Sequence, residues 1–202
     1  MYLRIRGYTN APAVDVPKIV RSRMLKSLAH TIEPFSRVLV PYLHNRASRV
    51  LLDFLEEVKY PQYIAIVSDE EVDGRPTYIY NDPLEILIRG ANYPVYRPLD
   101  ASEIAYMRLR FSPKSPVFHG IFPFRRVHPR ELGVYLKVKN MRFPRKQRPG
   151  EERRLTLKLE ASYPRLSISA AAFVEKISRV FMKHIRSDPV QIEPKERRLV
   201  GI

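Results

Sequence analysis

Proline interrupts this chain eighteen times, whereas glycine occurs only seven times. Each proline removes a backbone donor and stops or bends a helix, so the chain is expected to fold as short elements joined by stiff links. Such links also lower the entropy of the unfolded chain. Together with few amides and no cysteine, they give the sequence a thermophile-like character. The missing cysteine excludes disulfides, thiolate metal sites and cysteine nucleophiles.

At 202 residues and 45% hydrophobic content the chain can bury one substantial core. Residues 1–188 are expected to form a single compact α+β domain and 189–202 a C-terminal tail. No apolar run is long enough to span a membrane, and Met1 to Arg6 alternates apolar residues with arginine. The expectation is a protein that is not secreted, in the cytoplasm or inside a virion or nucleoprotein particle.

Apolar spacing sets the expected elements. Leu3 and Ile5 alternate with Arg4 and Arg6 as in a strand. Val20, Met24, Leu28 and Ile32 form a helical stripe after a possible cap at Asp15, and Leu43 to Val58 keeps the 3.6-residue period over Pro41 to Lys59. Residues 62–67 and 76–80 flank an acidic turn and predict a hairpin. Further strands are expected at Leu84–Ile88 and Tyr93–Tyr96. Tyr106–Phe111, Val134–Lys139 and Leu155–Glu160 alternate and read as half-buried strands. A last helix, capped by Ser169, carries Ala172, Phe173, Ile177, Val180, Phe181, His184 and Ile185 on one face. The predicted fold is a mostly antiparallel sheet of five to seven short strands against two N-terminal helices and one C-terminal helix.

Charge points to function. The formal net charge is +15, with 36 Lys and Arg against 21 Asp and Glu. Its distribution is uneven: residues 53–85 hold nine acidic and two basic groups, while residues 108–154 hold fourteen basic and three acidic groups. On the predicted strands Arg108, Arg110, Lys137 and Lys139 would share outward faces, with Arg125 and Arg126 nearby. The following loop adds Arg142, Arg145, Lys146, Arg148, Arg153 and Arg154. Same-face strand residues lie about 6.5–7 Å apart, close to the phosphate spacing of a nucleic-acid strand. Tyr135 and Phe143 are the rings best placed to stack on bases, whereas Phe111, Phe118, Phe122 and Phe124 read mainly as core. The acidic 53–85 segment could instead neutralise the basic one in a neighbouring copy, giving an oligomer.

Catalytic patterns are weak. Asp53, Glu56, Glu57, Asp69, Glu70, Glu71, Asp73 and Asp82 could supply a metal-dependent nuclease, and Glu57-Val58-Lys59 has an acid-x-Lys form, but helix ends and turns commonly carry such groups for solubility. His30, His44, His119, His128 and His184 lack metal spacing and neighbour no evident nucleophile, although His119 and His128 could act as an acid–base pair. No phosphate-binding glycine loop occurs, nor a signature of the common RNA- and DNA-binding modules. The sequence therefore reads as a non-enzymatic protein without a cofactor or metal, binding DNA or RNA by its phosphates and needing no membrane. The alternatives are a structural component of a nucleoprotein particle, viral or ribosome-associated, and then a nuclease.

Overall fold

The computed structural model describes residues 1–28, 37–58, 63–68, 70–72, 77–79, 95–113, 115, 118–141, 151–163 and 165–185. The chain opens with an antiparallel pair, β1 (Tyr2–Ile5) and β2 (Thr9–Pro12), joined through Gly7 at φ 81°. A 3₁₀ turn, Ala13–Asp15, leads into α1 (Val16–Leu28). Then follow β3 (Arg37–Pro41), α2 (Arg46–Val58), β4 (Tyr63–Ser68) and β5 (Thr77–Ile79). The remaining elements are helices: α3 (Ala101–Arg110), α4 (Pro129–Val138), α5 (Glu151–Ser162) and α6 (Leu166–Ile185).

β3, β4 and β5 form a parallel sheet, with Leu39 opposite Ala65 and Ile66 opposite Thr77. Parallel bridges from Leu39 to Val95 and from Tyr96 to Ile121 extend it beyond β3. Across the sheet the order is β5, β4, β3, residues 95–96, residue 121. The chain moves outward from β3 through β4 to β5, then returns to the other flank of β3. The continuous apolar runs Val38-Leu39-Val40 and Ile64-Ala65-Ile66-Val67 suit strands covered on both faces.

Helices cover the face that presents Val38, Val40 and Ile66. Val20 and Met24 of α1, Leu51 and Phe54 of α2, and Leu132 and Tyr135 of α4 join Val38, Val40 and Tyr96 in one core. A second core gathers Ile104 and Met107 of α3, Phe118, Phe122, and Ala170 and Val174 of α6. Neighbours Ile121 and Phe122 enter different cores, as successive residues of a strand must. Each fully buried side chain of this size contributes about 1.5–3 kcal/mol relative to exposure.

Two capping boxes start the central helices. Asp100 accepts from the N–H groups of Ser102 and Glu103 at 3.0 and 3.1 Å, and Glu103 accepts from Asp100 N at 2.8 Å. His128 Nδ1 accepts from Arg130 N at 3.1 Å, and Glu131 accepts from His128 N at 2.7 Å. Reciprocal bonds of this kind satisfy otherwise orphaned first-turn donors.

The antiparallel-sheet prediction is therefore corrected. The main sheet is parallel, β4 and β5 are parallel neighbours instead of a hairpin, and six α-helices dominate the described residues. The segments 106–111, 134–139 and 155–160, expected as strands, lie mainly within α3, α4 and α5. Pro41 closes β3 and does not open α2. The expected strand at 84–88 and the tail at 189–202 lie outside the described residues.

Candidate active site

The strand order reverses at β3, and in open parallel sheets the carboxyl edge at such a point is where ligands settle. The β3 exit is tightly tied. Tyr42 N donates to Val67 O at 2.7 Å, and Leu43 N donates to Ser48 Oγ at 3.0 Å. Asn45 caps α2 by accepting from Ser48 N at 2.7 Å. Its amide donates to Pro98 O at 3.3 Å, spanning to the chain that leaves residues 95–96. His44, between these anchors, has φ 49°, a left-handed conformation uncommon for a residue with a β-carbon.

That backbone delivers the His44 ring to the end of β4. Nε2 lies 3.2 Å from Ser68 Oγ, and Nδ1 lies 3.3 Å from Glu70 Oε1. Tyr42 meets the ring edge-on at 4.8 Å and 88°. Ser68 is buried, the His44 side chain is 29% exposed and the Glu70 side chain 73%, so the group runs outward from the hydroxyl through the imidazole to a carboxylate in solvent.

Just past residues 95–96 Arg97 is buried, and burial brings its guanidinium down from 12.5 to about 10. It donates to His119 O at 3.4 Å and lies 5.8 Å from the Phe122 ring centre. Burial, and then the Arg97 charge, hold His119 below its ordinary 6.5. Gly120 makes room: its φ is +123°, and a β-carbon there would lie 2.9 Å from both Arg97 Cγ and Val95 O.

A separate buried polar group joins β2, α1 and α4. Glu131 is wholly buried, and its oxygens accept from Arg23 Nη1 at 2.8 and 3.0 Å, with Thr9 Oγ1 also donating. His128 Nε2 faces Glu160 Oε2 at 3.5 Å, and Tyr8 packs against the His128 ring at 5.2 Å. The Tyr8 hydroxyl and Ser167 Oγ are buried next to each other, and both Glu160 oxygens are buried without a hydrogen-bond partner among the described residues. Burial drives the Tyr8 phenol well above its ordinary range.

The expected nucleic-acid residues fall apart into several environments. Arg108 and Arg110 are exposed on α3, and Lys137 is exposed on α4. On helices, residues two apart point to nearly opposite sides, so the proposed strand face does not form. Arg108 stacks 4.1 Å over Phe173, and Arg110 donates to the Tyr106 hydroxyl at 2.5 Å. Arg125 and Arg126 meet Glu175 at 3.5 and 3.4 Å, and burial lowers the Arg125 pKa. Lys139 donates to Glu57, which Arg21 also meets at 2.6 Å.

Tyr135 is wholly buried and donates to Asp53 Oδ2 at 2.6 Å, so it presents no face for a base. Phe118, Phe122 and Phe124 are core, whereas Phe111, read as core, is 36% exposed after α3. Arg154 is exposed on α5; the Arg153 side chain and all of Arg142, Phe143, Arg145, Lys146 and Arg148 lie outside the described residues. The described carboxylates include no group of three or more with His, Asp or Glu that could hold a metal. Among the described residues no helix is long and apolar enough to cross a membrane. Sequence reasoning missed Ser68, Asn45 and Arg97, saw His44 only as one isolated histidine, and named Glu70 only among carboxylates that could bind a metal.

No protein-family model matches the sequence, and no curated protein shows significant similarity to it. Among solved structures it resembles the U34-tRNA thiolase NcsA from Methanococcus maripaludis with its [4Fe-4S] cluster. The TM-score is 0.61 and the identity 12%, over 93% of this chain and 85% of that one. The chain shares its fold with a tRNA thiolase. This overturns the expectation of a binder or particle component without catalytic machinery, because the architecture is one that an enzyme uses. Iron–sulfur clusters are held by cysteine thiolates. With no cysteine, this chain does not fit such a cluster.

Proposed function

We propose that the protein is an enzyme acting on RNA, with its reactive centre in the crevice flanking β3. The observation that supports this reading is the parallel order β5, β4, β3, 95–96, 121, which reverses at β3, where the exits carry His44, Asn45 and Arg97. The similar solved structure is a tRNA thiolase, which makes transfer RNA the substrate class this reading assigns. The excess of cations suits a polyanionic substrate, and Arg108, Arg110, Lys137 and Arg154 lie at the exposed surface. Sulfur transfer through a thiolate of this chain is excluded by its composition. The residues on offer for chemistry are an imidazole, hydroxyls and carboxylates.

The test uses cells expressing the protein, which supply any co-reactant. Their transfer RNA is digested to nucleosides and compared by mass spectrometry with RNA from cells lacking it and from cells expressing Asn45→Ala. A nucleoside altered only by the wild-type protein supports the proposal. Identical profiles in all three, with the protein folded and present, reject it.

A further inference from the structure

Three side chains at the exits of β3 and β4 stand in the sequence hydroxyl, imidazole, carboxylate. Ser68 Oγ is 3.2 Å from His44 Nε2, and Glu70 Oε1 is 3.3 Å from Nδ1 of the same ring. A carboxylate on Nδ1 favours the tautomer that leaves the Nε2 lone pair facing the hydroxyl. Tyr42 fixes the ring tilt edge-on, and the left-handed backbone at His44 places the ring where an ordinary conformation would not. Backbone of that kind persists where its surroundings enforce it. Glu70 N also reaches Ser68 Oγ at 3.4 Å, so the turn holds both outer members of the line.

We infer that Ser68 is a nucleophile for acyl transfer, with His44 as its general base and Glu70 as the positioning residue for His44. The substrate class is a carboxylic ester of a ribose hydroxyl. Ser68 Oγ forms a bond to the carbonyl carbon while His44 Nε2 takes the hydroxyl proton. The ester C–O bond then breaks, and His44 returns the proton to the departing ribose oxygen. Water attacks the acyl-serine, giving a proton to His44, which passes it to Ser68 as the acid leaves. The balance is ester plus water to acid plus alcohol, without an oxidant or reductant. α2 begins two residues after His44, and the positive end of its dipole favours developing negative charge nearby. The ribose portion rests on the RNA reading above; the hydrolytic chemistry does not.

The whole chain is treated with a fluorophosphonate probe and assayed with 3′-O-acetyladenosine and p-nitrophenyl acetate. One adduct is expected, on the peptide carrying Ser68, and it should abolish ester turnover. Ser68→Ala should lose the adduct. His44→Gln, at a partly exposed position, should slow labelling by about 10²-fold or more. Thermal melts establish that each variant is folded, and Ser68→Cys, alkylated by iodoacetamide in a His44-dependent manner, gives a second readout. No adduct on Ser68 in the folded protein, or equal labelling with His44→Gln, overturns the inference. Ester turnover without any altered nucleoside would retain it and reject the RNA reading. An altered nucleoside that persists in unlabelled Ser68→Ala would do the reverse.

Discussion

Arg23 of α1 reaches both carboxylate oxygens of Glu131 in α4, at 2.8 and 3.0 Å, in a site where Glu131 has no solvent exposure. The same guanidinium donates to Tyr8 O at 2.5 Å and Arg126 O at 3.1 Å. One side chain thus fastens the β1–β2 turn, α1 and the approach to α4.

Removing Arg23 strands a buried carboxylate. Arg23→Ala is expected to lower unfolding free energy by about 3–5 kcal/mol, and Glu131→Gln by less, because the amide keeps part of the hydrogen bonding. Denaturant titration of both singles and the double variant measures the coupling. Additive effects would contradict the pair.

Tyr135 makes a second long-range link, to Asp53 of α2, and burial raises its phenol pKa well above the ordinary value. Tyr135→Phe should destabilise by about 1.5–3 kcal/mol, as expected for a hydrogen bond to a charged group. Its RNA affinity should match wild type. A weakened RNA complex with unchanged stability would restore the stacking role expected from sequence.

That misplacement of Tyr135 shows what the sequence concealed. Six-residue windows such as Tyr106–Phe111 alternate as a strand does, yet Ile104, Ala105 and Met107 continue a helical stripe that begins upstream at Ala101. The boxes Asp100/Glu103 and His128/Glu131 mark helix starts, but the second uses histidine as cap, which the usual Ser, Thr, Asp and Asn preference does not flag. The stripes of α1 and α2 were legible because they repeat over more turns. Chemistry was harder to read: Ser68 and His44 are separated by the whole of α2, and only strand register brings them together.

Acid should weaken the fold by two routes. Hydrogen bonding from Lys139, and the charges of Arg21 and Lys139, hold Glu57 below its ordinary 4.5. A depressed carboxyl contributes stability above the unfolded value that is lost as pH falls through the folded one. His119 is also depressed, so the folded state resists its protonation and stability falls as pH drops below 6.5. Melting temperatures from pH 8 to 3 should decline in two stages. Glu57→Gln should flatten the lower and His119→Gln the upper, each modestly because both groups touch solvent.

At Gly120, φ of +123° and two contacts at 2.9 Å leave no place for a methyl group. Gly120→Ala should cost more than about 1 kcal/mol. Adding Arg97→Ala should not recover it, because the Val95 carbonyl remains. Full recovery in a calorimetric comparison would mean that Arg97 alone sets the crowding.

Asn45 both begins α2 and holds the chain leaving residues 95–96 through Pro98. Separating these two segments would therefore also disturb the first turn of α2. Under the proposed function, a substrate that spread these two segments would pull on the loop that carries His44, tying reactivity there to their separation.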